Sequence, residues 1–522
     1  SRLMGSGPAR LKRCFFLNRI LFPLGIDAEY DIKEPCMEQQ TQILAVMIAY
    51  FALLILWGIY QGRKVKNSCD YAIAGRSLPG WAAALSERAT GESSWALLGL
   101  PGMAYATGLV EIWTALGCVA GIITAWVGLA WRLRDEAEKF QVNTFSEYIA
   151  RKHGEMERPI RAVASLTIVF FFFFYVGAQF LGGGKTLFTL FHLPEKWGLL
   201  LTALIIVPYT IYGGFRSVVY TDCVQAVLMI VTLVVTPVVG IIAIAKTPGL
   251  FAASIPQALA AAGPSYISLT GAASGFAAGV MILAGFSWFF GYLGGQPQLS
   301  MRFMAIRDAD QARKARSIGI AWTLVAYIGA LAIGWIGIAL FGPTGLQDQE
   351  YVLPAVLLKL FPPALAAVLI TGAIAAMVST ADSLLILSAS ELSENLIKPI
   401  SKNREESDCL GRSRRITAGL AVIALALAYL FPTRLIFTMV GYVWAGIGGT
   451  FSIVILFTLF WKRYHGRAVI ATIISGLLFT VIWSVTGMNA RLTSRLLTFF
   501  VAGAVAVIAT YAFPKKDNLP AA

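Results

Sequence analysis

Residues 80–102, GWAAALSERATGESSWALLGLPG, read as a membrane-spanning segment interrupted at its centre. Apolar arms, Trp81 to Leu85 and Trp95 to Leu100, flank Glu87, Arg88, Thr90, Gly91, Glu92, Ser93 and Ser94. A charge at the bilayer centre costs about 2.5–3.5 kcal/mol on insertion scales, so three within six residues point to function. The alternative is a cytoplasmic loop between two short helices. Neither arm alone reaches the ~20 residues that a crossing helix needs, which disfavours it. Gly91 is the expected point at which the backbone leaves the helix. Non-helical backbone survives at membrane depth only where it borders a protein cavity. Freed carbonyls there can hold a cation, and the N-terminus of the second half-helix can hold a carboxylate.

The surrounding chain is that of an all-α integral membrane protein. Of its 522 residues 57% are hydrophobic and 13% charged, against a usual charged share of about 25%. Apolar runs predict thirteen spans, near 42–61, 80–104, 109–131, 160–184, 195–213, 219–245, 275–296, 317–341, 364–390, 416–431, 436–461, 467–486 and 495–513. They are called spans one to thirteen below. Only short connectors remain, so residues 37–522 are expected to form one transmembrane domain.

Lysine and arginine fall unevenly between the two sets of connections. One set carries RKVK (63–66), RLR (132–134), ARKHGEMERPIR (150–161), FR (215–216), RFMAIRDADQARKAR (302–316), IKPISKNREESDCLGRSRR (397–415), WKR (461–463) and PKK (514–516). The other carries Lys185, Lys196, Lys246, Lys359, Arg434, Arg491 and Arg495. The positive-inside rule then puts the N-terminus outside and the C-terminus in the cytoplasm of a cell-membrane protein. The net charge of +14 is thereby explained by topology, without a nucleic-acid partner, and no obligatory protein partner is evident. The six cysteines have no metal-site spacing, and His153, His192 and His465 all fall in predicted loops, which argues against a metal-dependent or histidine-based enzyme. The sequence begins at Ser1. Residues 1–36 are expected to be upstream sequence, with Met37 as the natural start; an extracytoplasmic extension is the alternative.

A second interruption lies in 275–297, GFAAGVMILAGFSWFFGYLGGQP, where Gly291, Gly294, Gly295 and Pro297 break the helix and Trp288 and Tyr292 lie one turn apart. This is span seven, five after the first interrupted span. Interrupted spans at corresponding positions of two halves point to a transporter binding site. Because five is odd, the halves, about 80–245 and 275–461, run inverted to each other. In span nine Ala376, Ser379, Thr380 and Ser383 form one helical stripe, with Asp382 beside it. Hydroxyls and a carboxylate supply hard oxygen ligands suited to a small hard cation. Asp222, in YTDCVQ (220–225), is a candidate partner.

These stretches carry a resemblance. DYAIAGRSLPGW (70–81), SSWALLGLPG (93–102), GGFRSVVYTDCVQ (213–225), WFFGYLGGQPQLSMRFMA (288–305) and STADSLLILSASELSENL (379–396) are similar to those of the sodium/solute symporter family, above all its bacterial sodium/proline branch. The resemblance implies a leucine-transporter-like fold with a five-plus-five inverted-repeat core. It also implies a sodium ion held by the carbonyls of Ala89, Glu92 and Ala376 and the hydroxyls of Ser379 and Thr380. Some relatives hold a second cation, which falls here on Asp222, Asp382 and Ser383 with Ser379. Substrate contacts of the proline branch fall on Trp95, Tyr175, Trp288, Tyr292 and the bend at Pro297, with Arg88 and Gly91 at the break as coupling or gating positions. The chain departs from that branch in four ways. Gly91 stands where an aspartate is usual, Glu92 where an apolar residue is usual, and Glu87 and Arg88 where small residues are usual, while YLGGQP holds one extra glycine.

The expected function is sodium-coupled symport of proline or a related amino acid by alternating access, with sodium as coupling ion and no other cofactor. If Arg88 and Glu92, four apart, pair across the break, the cavity suits a zwitterion; a free Arg88 favours the alternative, a monocarboxylate or other small anion. An intramembrane enzyme using Glu92 and Asp382 as acid and base is a remote third reading.

Overall fold

The computed structural model describes residues 37–63, 73–400, 406–431 and 433–513. The proposed extension 1–36 lies outside them. Ten described stretches are long and apolar enough to cross a membrane. The longest, Gly80–Phe140, is two passes, because both its ends meet the same segment. Leu78 N donates to Ala305 O (3.1 Å), while Arg134 Nε donates to Ile306 O (3.1 Å). The turn between the passes is a tight one at Gly108–Glu111. Spans five and six form one helical run, Glu195–Lys246, broken at Gly214 (φ 63°, ψ 174°). Span seven is in pieces: Gly275–Phe286 and Trp288–Gly291, then non-helical backbone, then Pro297–Met304. With these, the thirteen expected passes are all present among the described residues.

Spans two and seven run in opposite directions. The start of span two lies beside the end of span seven, since Leu78 N reaches Ala305 O and Arg307 N returns to Leu78 O (2.9 Å). Local chemistry sets the helix ends. Asp308 caps span eight (Ala309–Phe341) by accepting the Gln311 N–H at 2.8 Å, and that bond holds its carboxyl below the usual range. Gly294 supplies a left-handed backbone (φ 80°), and a Cβ on Gly295 would lie 2.3 Å from Ser452 N. The extra glycine therefore has a packing reason: one glycine turns the chain and the next admits span eleven (Ile436–Phe460).

Charges assigned to loops in the sequence are buried instead, Lys185 and Arg302 completely so. Lys185 sits inside span four (Glu157–Phe191), where Nζ donates to Glu350 Oε2 (2.7 Å) and Asp348 Oδ2 (2.5 Å). Glu350 in turn accepts the Ile436 and Phe437 N–H groups at 2.9 Å each, capping the start of span eleven. Burial pushes the Glu350 carboxyl above the usual range, with Lys185 opposing. One carboxylate thus ties together span four, the connector after span eight and span eleven. The second buried charge, Arg302, belongs to the functional site.

Candidate functional site: an ion clasp, a charged triad and an aromatic cluster

The helix of span two breaks at Ser93 (φ 48°, ψ −165°), two residues after the expected Gly91. In an unbroken helix the Ser94 N–H would bond Thr90 O. Here it donates to Gln179 Oε1 on span four (3.1 Å), and Tyr175 Oη donates to Ser93 Oγ (3.3 Å). Tertiary partners, rather than glycine freedom, decide where the chain unwinds. Gly91 has a packing role: a Cβ there would lie 3.3 Å from Leu299 Cδ2 and 3.4 Å from Arg88 Nη2.

The carbonyls released by the break face span nine (Pro363–Leu392). Ser379 Oγ lies 3.1 Å from Ala89 O and 3.0 Å from Ala376 O, and Thr380 Oγ1 lies 3.0 Å from Thr90 O. All these residues are buried. Three carbonyl and two hydroxyl oxygens converge without a formal charge among them, a hard, neutral donor set. Of the expected ligands, Ala89, Ala376, Ser379 and Thr380 come together. Glu92 departs from its expected place, because its carbonyl accepts the Trp95 N–H and its side chain bonds Arg88. Thr90, which the motif did not supply, stands there instead.

The second expected cation position already holds a charge. Arg302 is fully buried, and Nη2 donates to Asp222 Oδ2 (2.9 Å) and Ser383 Oγ (2.6 Å) while Nε donates to Ser86 Oγ (2.7 Å). Ser86 Oγ also donates to Asp222 Oδ2 (2.6 Å), and Thr90 Oγ1 lies 3.3 Å away. The guanidinium of span seven's second half-helix therefore lies between Asp222 and Ser383, two of the residues expected at the second cation position. Asp382 lies alongside, its Oδ1 3.4 Å from Ser383 Oγ.

Arg88 does pair with Glu92, through Nη1 and Oε1 at 2.9 Å, and it is held on its other edge by both oxygens of Glu87. Trp126 Nε1 donates to Glu87 Oε2 (3.1 Å), and Arg88 Nη1 also reaches Thr323 Oγ1 (3.2 Å). Two carboxylates share one guanidinium in this buried triad, and Glu92 Oε2 has no hydrogen-bond partner.

Beside the triad the rings converge. Trp95 stacks on Trp288 (centroids 4.4 Å apart, planes 9°), and Tyr292 Oη lies 3.1 Å from Tyr327 Oη. Trp444 of span eleven meets Trp288, Tyr292 and Tyr175 at 5.6, 5.3 and 5.8 Å. All four aromatic residues expected at the substrate site are thus in one cluster, joined by Trp444, Tyr327 and Phe437. Pro297 instead restarts the second half-helix.

Comparison with known proteins decides the family. Residues 71–476 match the Sodium:solute symporter family.

The chain belongs to the sodium:solute symporter family.

It is similar to the osmoregulated proline transporter OpuE of Bacillus subtilis (31% identical over 450 residues, 86% of this chain and 89% of that protein). It is also similar to a sodium/proline symporter of Staphylococcus aureus (33%, 84% and 85%). Among solved structures it resembles a Na+-coupled sialic acid symporter in a substrate-bound outward-open state (TM-score 0.71, 19% identity, 91% and 99% covered). MhsT in complex with L-phenylalanine is a more distant likeness (TM-score 0.54, 12% identity, 83% and 98% covered). These likenesses bear out the leucine-transporter-like, all-helical fold expected from the sequence. The chain is a multi-pass membrane transporter and not an enzyme.

Proposed function

We propose that this protein couples inward sodium movement to uptake of a small zwitterionic amino acid, proline or a close relative. The observation that carries the reading is the clasp: hydroxyls of span nine meet carbonyls that the break in span two has released. Sodium at Ala89, Thr90, Ala376, Ser379 and Thr380 would join the two helices. Substrate would then meet an aromatic cluster already ordered, so both ligands favour one closed state, which is positive coupling. The proline transporters among its relatives support the substrate class.

The unpartnered acceptor of the triad supports an ammonium-bearing solute, whose N–H groups would donate to Glu92 Oε2 while its apolar body packs on the rings. The monocarboxylate alternative needed a free Arg88, and both Glu87 and Glu92 hold that guanidinium. The inverted halves are taken as about 80–245 and 275–461. The protein is read as lying in the cell membrane with its N-terminus outside and C-terminus in the cytoplasm, from the lysine and arginine distribution. The test is uptake of labelled proline into proteoliposomes with and without a sodium gradient, beside a panel of other amino acids and monocarboxylates. Sodium-independent uptake, or sodium-driven uptake of monocarboxylates alone, would overturn the reading.

A further inference from the structure

Arg495 opens span thirteen (Ser494–Ala512), outside the ten-helix core, yet it reaches the aromatic cluster. Its guanidinium carbon lies 4.6 Å from the centroid of Trp288 and 5.8 Å from that of Phe437. Gly441 makes room for it, since a Cβ there would lie 2.6 Å from Nη1. Stacking engages the face of the guanidinium and leaves its N–H donors on the rim. Those donors have only long bonds, Nε to Ser287 Oγ and Nη2 to Ala284 O, both 3.4 Å. Among the described residues Arg495 has no carboxylate within 4.0 Å. Its acidic neighbour is Glu111, whose Oε1 lies 3.4 Å from the Thr107 hydroxyl.

The same cluster holds two further donors without acceptors. Trp288 Nε1 and Trp444 Nε1 are buried and bond to nothing. A buried N–H left unpaired is costly, and these three side chains have no acceptor at short range, the Oε2 of Glu111 being left without a partner as well. The chemistry that answers this shortage is a planar anion with two acceptor oxygens, which an arginine fork matches edge to edge. Glu92 Oε2, an unpaired acceptor, belongs to the Arg88 triad.

We infer that Arg495 binds the carboxylate of the transported solute as it enters the Trp95–Trp288 cluster, so that a helix outside the core determines specificity. This rests on the amino-acid reading above only for the solute's amine; the carboxylate is common to the zwitterion and monocarboxylate readings.

The experiment uses the full chain in lipid nanodiscs with sodium. Binding is measured for matched pairs that differ only in the acid group: proline against prolinamide, and lactate against lactamide. The wild type should prefer the carboxylate of the pair it binds by roughly ten- to a hundredfold. Arg495→Gln should bring that ratio close to one while sodium alone stabilises the variant as it does the wild type. Arg495→Lys, which keeps the charge but loses the fork, should fall between, and it decides the matter if the glutamine variant does not fold. An Arg495 variant with the wild-type ratio, or a wild type that does not prefer either carboxylate, overturns the inference. Preference for lactate over lactamide without binding of proline would sink the amino-acid reading and leave this one standing.

Discussion

Replacing Asp222 with asparagine tests whether Arg302, rather than a mobile ion, is the partner of that carboxylate. Asparagine keeps an acceptor for the hydroxyls of Ser86 and Thr90, which lie 2.6 and 3.3 Å from Oδ2, so the main loss is the charge facing Arg302 at 2.9 Å. Both partners are fully buried, and removing one member of such a pair leaves an uncompensated charge worth about 3–5 kcal/mol. That is a large fraction of a total stability of about 5–15 kcal/mol. Arg302→Met should cost a similar amount by stranding Asp222. The double variant should recover much of the loss, with a coupling of about 2–3 kcal/mol between the sites. Thermal unfolding of the four proteins in detergent, each with and without sodium, measures this. The destabilisation by Asp222→Asn should be similar in both conditions. If it appears only in sodium, or if the two single effects simply add, the ion pair is not what holds this site, and a second sodium returns as the better account.

Ser379→Ala and Thr380→Ala each remove one hard oxygen from the clasp and should raise the sodium concentration needed for half-maximal uptake by roughly tenfold; unchanged sodium dependence in both would remove the clasp from the mechanism. Arg88→Gln should impair folding by leaving Glu87 and Glu92 buried together, whereas Glu87→Gln combined with Arg88→Gln should restore expression, with zwitterion uptake retained, as surface yield and transport will report. Lys185→Met should loosen the start of span eleven, read as faster labelling of a cysteine placed at Phe437 by an impermeant thiol reagent. The raised pKa of Glu350 gives the same site a pH sign: it protonates at a higher pH than an exposed glutamate, so acidification weakens its hold on Lys185 and should speed that labelling.

The broken spans were legible because each violates a simple rule, charges within apolar sequence in one and glycine clustered before proline in the other. The stripe Ala376, Ser379, Thr380 and Ser383 was legible from helical periodicity alone. The exact break was not, since Gln179 and Tyr175, more than eighty residues away in sequence, draw the backbone out at Ser93. Arg302 was misread for a related reason. It begins a basic run that otherwise faces solvent, and nothing local distinguishes the one arginine that turns inward to Asp222. Thr90 lies four residues after Ser86, a spacing that could have flagged a second hydroxyl stripe on span two. Trp444, Tyr327 and Arg495 carried no such signal, because aromatic residues and terminal arginines are common in membrane helices.

A cation fixed to the chain does no thermodynamic work. Arg302 supplies positive charge between Asp222 and Ser383, but it never crosses the bilayer, so neither the membrane potential nor the sodium gradient acts through it. A cycle that carries only the clasp's ion gains about 2.3 kcal/mol per 100 mV and about 1.4 kcal/mol per tenfold sodium gradient. At those values the solute could be concentrated several-hundred-fold, roughly 500 to one. A second travelling ion would square that ratio at the expense of twice the sodium per molecule imported.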